Sequence, residues 1–380
     1  MEKDHTYYMG LALEEAKKGV GRTSPNPAVG AIIVKSGMVV GRGYHKKAGT
    51  PHAEIHAIQD AGPASKDATL YVTLEPCNHT GRTPPCTEAI LKAGIRRVVI
   101  GMPDLNPKVT GGGADYLLSR GVDVCSGIIE QQCRDLNRPF IKHSTTGLPW
   151  IIMKAGLSLD GKITFRPGQG AALTGLESKR FVHQIRNQVD AILIGVETAL
   201  IDNPSLTTRL EGVKETRDPV RIVLDSRLRL PANSRLITQA SSAETWVLCG
   251  EQASREKEAQ LVRGGARVFR MPLDGDNRID LAEMLRFLGL KNITSILVEG
   301  GARVHGAFYQ QHLVDELLLF YAPFIIGDLG TPLVHGYSLT GRSEAPLLST
   351  TSIQSLGNDV LFRALIQKEE LPDNITARSS

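Results

Sequence analysis

The chain has 380 residues, 41% apolar and 22% charged, with no apolar run long enough to span a bilayer. That is room for two domains of ordinary size, and it excludes disordered, fibrous and membrane-spanning classes. The net charge of +4 lies in the first 146 residues, which carry 18 Lys and Arg against 14 Asp and Glu without a basic run, so a small phosphorylated ligand is expected and nucleic-acid and membrane partners are not.

The opening stretch MEKDHTYYMGLALEEAKKGV carries acids early and lacks an apolar signal core. It reads as an amphipathic helix over about 5–19, not a targeting peptide, so a cytoplasmic location is expected. In a reducing compartment Cys77, Cys86, Cys125, Cys133 and Cys249 are not expected to form a disulfide set. AVGAIIVK and MVVGRGY read as paired strands around a KSG turn, followed by a helix from about 52 to 61. Strand TLYVTL, helix TEAILKAG, strand RRVVIG, helix ADYLLSRG and strand VDVCSG follow. KHSTTGLP (142–149) is short, polar and punctuated by Gly and Pro, and is expected to be the linker between domains 1–146 and 147–367.

Beyond it, WIIMKAGLSLDG reads as a strand running into a turn. A helix is expected over about 176–188, then strands DAILIG, VRIVLD, TWVLCG and ARVFRM. A helix (280–289), strand SILVEG, a helix (about 302–311) and the apolar ELLLFYAPFIIG complete the series, and 368–380 reads as a polar tail. Alternating helix and strand predicts α/β architecture in both halves, and no internal repeat relates them.

Two stretches carry metal chemistry. TPHAEIHAIQDAG places His52, Glu54 and His56 together, and YVTLEPCNHTGRTPPC places Cys77 and Cys86 after a strand. One imidazole and two thiolates leave a fourth zinc position for water, the arrangement of a catalytic site. Glu54, two residues from His52, can carry the proton. His-x-Glu with Pro-Cys-x-x-Cys is the signature of zinc nucleobase deaminases, although here eight residues separate the cysteines. A protease-like pair of His52 and His56 would put the Glu directly after the first His, and here it is one place later. His56 is therefore expected to pack or hydrogen-bond on its helix, and His79 to contact substrate rather than metal. In the second half no G-x-G-x-x-G follows a strand. SILVEGGARVHGAF offers a strand, Gly300 and Gly301, and a helix start able to hold phosphate.

SPNPAVGAIIV, GRGYHKKAGTPHAEIHA and VTLEPCNHTGRTPPC, then KAGLSLDGK, DNPSLTTR, RIVLDS and VEGGARVHGAF, resemble in order the bifunctional riboflavin-biosynthesis deaminase/reductases over residues 4 to 367. The resemblance implies a cytidine-deaminase-like domain followed by a dihydrofolate-reductase-like domain. It implies deamination of a diaminopyrimidinone bearing a phosphoribosylamino group, then NADPH-dependent reduction of the ribose to ribityl. It assigns Zn2+ to His52, Cys77 and Cys86, proton transfer to Glu54, and substrate contacts to Asn26, His45, His79, Arg82 and Thr83. Arg82 suits a phosphate through its guanidinium. In the second half it assigns Gly156, Ala172, Thr198, Asp202, Ser226 and the run Gly301, Ala302, Arg303, Val304, His305, Gly306 and Ala307 to the cofactor. Gly170, Arg186, Leu206, Arg209 and Glu299 fall at the substrate, and Lys154 and Asp202 could assist protonation of an opened, imine-like sugar.

One departure stands out. Members of the family often carry Trp-Ile-Thr or Trp-Ile-Ser where GAALTG here puts Ala172, so a weaker hold on the cofactor is expected. Two other readings compete: a deaminase of another base with a non-catalytic second domain, and a nucleic-acid editing deaminase. The long inter-cysteine loop and the lack of basic and aromatic stripes count against the second. A homo-oligomer is expected.

Overall fold

In the computed structural model, residues 4–79, 84–107, 112–170, 172–213 and 215–367 are described. The chain divides between Pro149 and Trp150 into two compact units, with the turn Leu288–Thr294 grouping with the first.

The first unit is built on a sheet of β1 (Gly30–Lys35), β2 (Met38–Tyr44), β3 (Thr69–Leu74), β4 (Arg97–Met102) and β5 (Asp123–Ser126), in the order β2-β1-β3-β4-β5. β1 runs antiparallel to β2 and β3, while β3, β4 and β5 are parallel. Strand side chains alternate between faces. Ile32, Val34 and Tyr71 meet Tyr8, Met9 and Ala12 of the helix His5–Lys17. Ala31, Ile33, Leu70 and Val72 meet Ala53, Ala57 and Ala61 of the helix Ala53–Ala61. The second helix lies very close to β2, because a Cβ on Gly43 would stand 2.2 Å from the Ala53 carbonyl oxygen and one on Gly41 2.4 Å from that of Ala57. The small residues on both sides set the height at which the helix, and His52 at its start, rests on the sheet.

The expected linker is different. Lys142 to Thr146 complete a helix, Arg138–Thr146, which follows another, Glu130–Leu136, absent from the sequence reading. Pro139 occupies the first turn, where no N–H is needed. The polar residues fold their hydroxyls back onto the helix: Thr145 Oγ1 donates to the Ile141 carbonyl at 2.8 Å and Thr146 Oγ1 to that of Lys142 at 2.7 Å. Gly147, at φ 74°, ends the helix in the left-handed region.

The second unit has a nine-stranded sheet. Its strands are β6 (Trp150–Ser158), β8 (Ala191–Gly195), β9 (Val220–Leu224), β10 (Thr245–Gly250), β11 (Arg267–Met271), β12 (Ser295–Val298), β13 (Glu316–Ala322), β15 (Leu348–Leu356) and β16 (Asp359–Ile366), while β7 (Lys162–Thr164) and β14 (Thr331–Pro332) form a small separate pair. The order is β11-β10-β9-β8-β12-β6-β13-β16-β15. The seven strands from β11 to β13 are parallel, and the last two are antiparallel. β8 and β12 are buried throughout, as parallel strands covered on both faces must be. The run ELLLFYAPFIIG stops being strand at Ala322, before Pro323, which has no N–H for the ladder. The hairpin of β15 and β16 had no counterpart in the sequence reading. LSTTSIQSL is too polar to signal a strand, and it lies at the sheet edge.

Candidate active sites

The first site forms where the helix Ala53–Ala61, the segment after β3 and the helix Cys86–Lys92 begin or end. His52 is the N-cap of its helix, in extended conformation (φ −72°, ψ 168°), one residue before the helix begins at Ala53 and not within it as expected. Its Nδ1 lies 3.6 Å from Cys77 Sγ and 3.3 Å from Cys86 Sγ, and all three donor atoms are within 4.8 Å of one another. In a regular tetrahedral zinc site, with Zn–N near 2.0 Å and Zn–S near 2.3 Å, nitrogen and sulfur ligands stand about 3.5 Å apart. The donor set and its spacing therefore fit zinc. The cysteines act on each other. The hydrogen bond from Cys86 holds the Cys77 thiol down to about 4, while that same bond and burial push Cys86 up. A divalent cation between them relieves the second ionisation.

Glu54 is 3% exposed, its carboxyl is pushed up by burial, and its Oε2 has no hydrogen-bond partner among the described residues. A buried carboxyl oxygen without a partner costs energy, and it is available to a water or substrate proton. His45 is buried and held low chiefly by desolvation. Its contacts agree on one neutral tautomer: Nδ1 donates to the Pro51 carbonyl at 3.2 Å and Nε2 accepts from Asn26 Nδ2 at 3.3 Å. His79 is exposed. His56 is not in the metal cluster. Arg82 and Thr83 lie outside the described residues.

Sequence reasoning missed two supports here. Asn137, 2% exposed, accepts from the Ala28 N–H at 2.9 Å and donates to the Ala28 carbonyl at 3.0 Å, pinning the chain next to Asn26. Glu75 accepts from the Ala114 N–H at 3.0 Å and the Asp104 N–H at 3.3 Å, holding loops beside Cys77. Both act on backbone far away in sequence, and only the Glu-Pro-Cys neighbourhood of Glu75 was a signal.

The second site is a cleft of about 1250 Å³ along the carboxyl ends of the parallel strands, the usual ligand position in such sheets. At its centre Arg186 makes a bidentate pair with Glu299, Nε to Oε1 at 3.0 Å and Nη2 to Oε2 at 2.9 Å. Lys154 Nζ lies 3.7 Å from Glu299 Oε2. Burial pushes the Glu299 carboxyl up, but Arg186 and Lys154 outweigh it and leave it at about 2. Burial lowers Lys154, against the pull of Glu299. His183 is lowered to about 4 by burial and then by Arg186 and Arg209, and its Nδ1 accepts from the Arg209 N–H at 3.1 Å. Leu206, at φ 53°, turns that loop under the site.

The cleft gathers Gly156, Gly170, Ala172, Thr198, Asp202, Leu206, Arg209, Ser226 and Gly301 to His305 with Ala307. Gly306 is not on the wall. It packs against the chain at His335, whose carbonyl oxygen would stand 2.1 Å from an added Cβ. Asp202, raised by burial, leaves so little room that a Cβ on Gly170 would be 2.0 Å from its Oδ1. Gly301 is the N-cap of the helix Ala302–Gln310. Ala172 is exposed on the wall, and no Trp, Phe or Tyr lines the cleft among the described residues. Asp359, on β16, was missed. Its Oδ2 accepts from Gly175 N at 2.7 Å and Ser178 Oγ at 2.6 Å, capping the helix Leu176–Arg186 that carries His183 and Arg186.

Fold and sites together define a zinc-dependent base deaminase joined in one chain to a nicotinamide-dependent reductase. Comparison with known proteins agrees in each half. Residues 2–102 match the cytidine and deoxycytidylate deaminase zinc-binding region, and residues 149–362 match the RibD C-terminal domain. The riboflavin biosynthesis protein RibD of Bacillus amyloliquefaciens is 41% identical over 361 residues, covering 94% of this chain and 95% of its own. The solved structure of Acinetobacter baumannii RibD superposes with a TM-score of 0.86 at 32% identity, covering 96% of this chain and 99% of its own. A Thermotoga maritima diaminohydroxyphosphoribosylaminopyrimidine deaminase/5-amino-6-(5-phosphoribosylamino)uracil reductase superposes at 0.83 and 34%, covering 95% and 98%. The chain belongs to the RibD family, the bifunctional deaminase/reductases of riboflavin biosynthesis. Its cofactors are zinc in the deaminase and NADPH in the reductase. Among the described residues no helix is long and apolar enough to cross a membrane.

Proposed function

We propose that the first unit deaminates 2,5-diamino-6-(5-phosphoribosylamino)pyrimidin-4-one and that the second reduces the product, 5-amino-6-(5-phosphoribosylamino)uracil, to the ribityl compound. The observation that carries the reading is the pairing of a His-Cys-Cys donor set with the buried Oε2 of Glu54, which has no partner among the described residues. The name of the Thermotoga maritima protein supports the substrate pair.

His52, Cys77 and Cys86 would hold the zinc, which when bound acidifies the attacking water. Glu54 takes a proton from that water and passes it to the leaving amine, so that water and the aminopyrimidine become the carbonyl and ammonia. Asn26 and His45 border the base and His79 serves the ribosyl phosphate, while Arg82 and Thr83, outside the described residues, are substrate contacts by family resemblance alone. In the second unit NADPH supplies the hydride. Gly156, Thr198, Ser226, the run from Gly301 to His305 and Ala307 cradle it, with Ala172 on the wall. Arg186 and Glu299 fix the sugar, Arg209 faces the phosphate, and Gly170 and Leu206 shape the floor. Lys154, whose ammonium burial makes a readier proton donor, protonates the opened sugar with help from Asp202.

Five free cysteines, two of them metal-type donors, support a cytoplasmic setting. The open edge of β15, with Ile353 74% exposed, supports assembly with further copies. The deciding assay supplies the diaminopyrimidine phosphate and NADPH to the full chain, with and without a chelator. Chelation should stop ammonia release yet spare NADPH oxidation on authentic deaminated product. Continued ammonia release from metal-free protein would refute the assignment.

A further inference from the structure

The cleft of the second unit runs well beyond Glu299. The turns after β12, β8 and β9 line it in that spatial order. Gly300 and Gly301, after β12, open a nine-residue helix and suit a pyrophosphate. On one side, one strand away on β6, stands Lys154 with its partner Glu299. On the other side the turn after β9 is two strands away, about 10 Å at ordinary strand spacing. That is the reach of the adenosine half of a dinucleotide.

This turn carries Arg229. Its backbone is fixed, because Leu228 and Leu230 are buried on either side, the Leu228 N–H donates to the Asp225 carbonyl at 3.1 Å, and the Leu230 N–H donates to Asp225 Oδ2 at 2.7 Å. Alternation leaves the Arg229 side chain outside that packing. Its guanidinium lies 2.8 Å from Glu197, in the first turn of the helix after β8, and both residues line the cleft. With both side chains about half exposed, the pair adds little to stability. Its chemistry is more telling. An acid on the ribose 2′-hydroxyl is how dinucleotide sites accept NAD, and an arginine there is how they accommodate the 2′-phosphate. Here the two are bonded to each other at the end of the cleft where that group falls.

We infer that Arg229 selects NADPH over NADH by leaving Glu197 for the 2′-phosphate, and that Glu197 is the acid an unphosphorylated ribose would meet instead. The inference rests on the reading that this cleft holds the dinucleotide. Arg278 is the competing cation on the same wall, but its carboxylate neighbour, Asp276, is 3.9 Å away.

The test is equilibrium titration of the full chain with NADP+ and with NAD+. Arg229→Ala should weaken NADP+ by about ten- to a hundredfold, the effect of one charge-assisted contact, and change NAD+ by less than about threefold. Arg229→Lys should recover part of the loss. Glu197→Gln should tighten NADP+ and not NAD+. Equal weakening of both nucleotides by Arg229→Ala, or transfer of the selective loss to Arg278→Ala, overturns the inference. Gly301→Val serves as a separate control at the pyrophosphate and should weaken both nucleotides. If it affects neither, the cleft reading itself fails. If it weakens both while Arg229→Ala is neutral, the cleft reading stands and the selector lies elsewhere.

Discussion

Glu54 concentrates the chemistry of the first site in one side chain. Its carboxyl is buried, raised by that burial and without a partner at Oε2 among the described residues, so Glu54→Gln changes a proton carrier without changing much volume. Ammonia release should fall by about 10²–10⁴-fold, with zinc content measured by elemental analysis unchanged. Cys86→Ala should lose the metal and His56→Ala keep it. At the second site the histidines report on pH. His183 and His305 have folded values near 4, lowered from an ordinary 6.5 chiefly by burial. The unfolded chain therefore binds more protons between those values, and stability rises with pH across the window. It should be complete above about pH 6.5 and decline on acidification toward pH 4. His305→Asn keeps a donor for the Leu333 carbonyl, which His305 Nδ1 approaches at 3.3 Å, and should flatten that slope in calorimetry. A variant curve parallel to wild type would remove His305 from the account. Residues of this kind differ in how legible they are. His52, Cys77, Cys86 and Glu54 are chemically scarce types at telling spacings. Arg186 and Glu299 stand 113 positions apart and are common surface types, so only the family resemblance singled them out.

Elements place these side chains through contacts that periodicity does not encode. Helix and strand order were readable because β1, β3, β8 and β12 are short, almost continuously apolar runs bounded by polar or glycine-bearing turns. The close seating of the helix Ala53–Ala61 was not, since Gly41 and Gly43 leave no side chain to read. Gly43→Val should drive that helix off β2, cost about 1–3 kcal/mol or more, and reduce zinc retention because His52 caps the displaced end. Thermal unfolding and metal analysis on the same preparation check both effects, and full zinc occupancy would mean the helix height is slack. The helix Arg138–Thr146 was hidden by Ser and Thr, whose hydroxyls bond back to their own helix. The last hairpin was hidden by polarity, yet it supplies Asp359 as a cap from another element. Asp359→Ala should cost about 1–2 kcal/mol and raise the KM for the ribosyl substrate more than that for NADPH, because the helix it caps carries Arg186 and His183. Equal effects on both KM values would reduce Asp359 to a purely structural role.

At the scale of the whole chain, each candidate site draws its described residues from one unit: His52, Glu54, Cys77 and Cys86 from the first, Lys154, Arg186 and Glu299 from the second. Two defects placed in different units should therefore be separable. Glu54→Gln should stall on the diamino substrate but oxidise NADPH when given deaminated product. Lys154→Met removes the buried amine while leaving the bidentate pair of Arg186 and Glu299 intact, avoiding the roughly 3–5 kcal/mol cost of stranding a buried charge. It should release ammonia at the wild-type rate and accumulate the ribosyl product. The intermediate is small and carries a phosphate, so it can leave one chain and reach another. Mixing the two variants with diamino substrate and NADPH should give oxidation after a lag, and the lag should shorten as the Lys154→Met chain, the one that deaminates, is added in excess. If the mixture stays silent although each variant performs its own half-reaction on supplied substrate, the intermediate does not exchange through solution, and the two sites are coupled within the assembly.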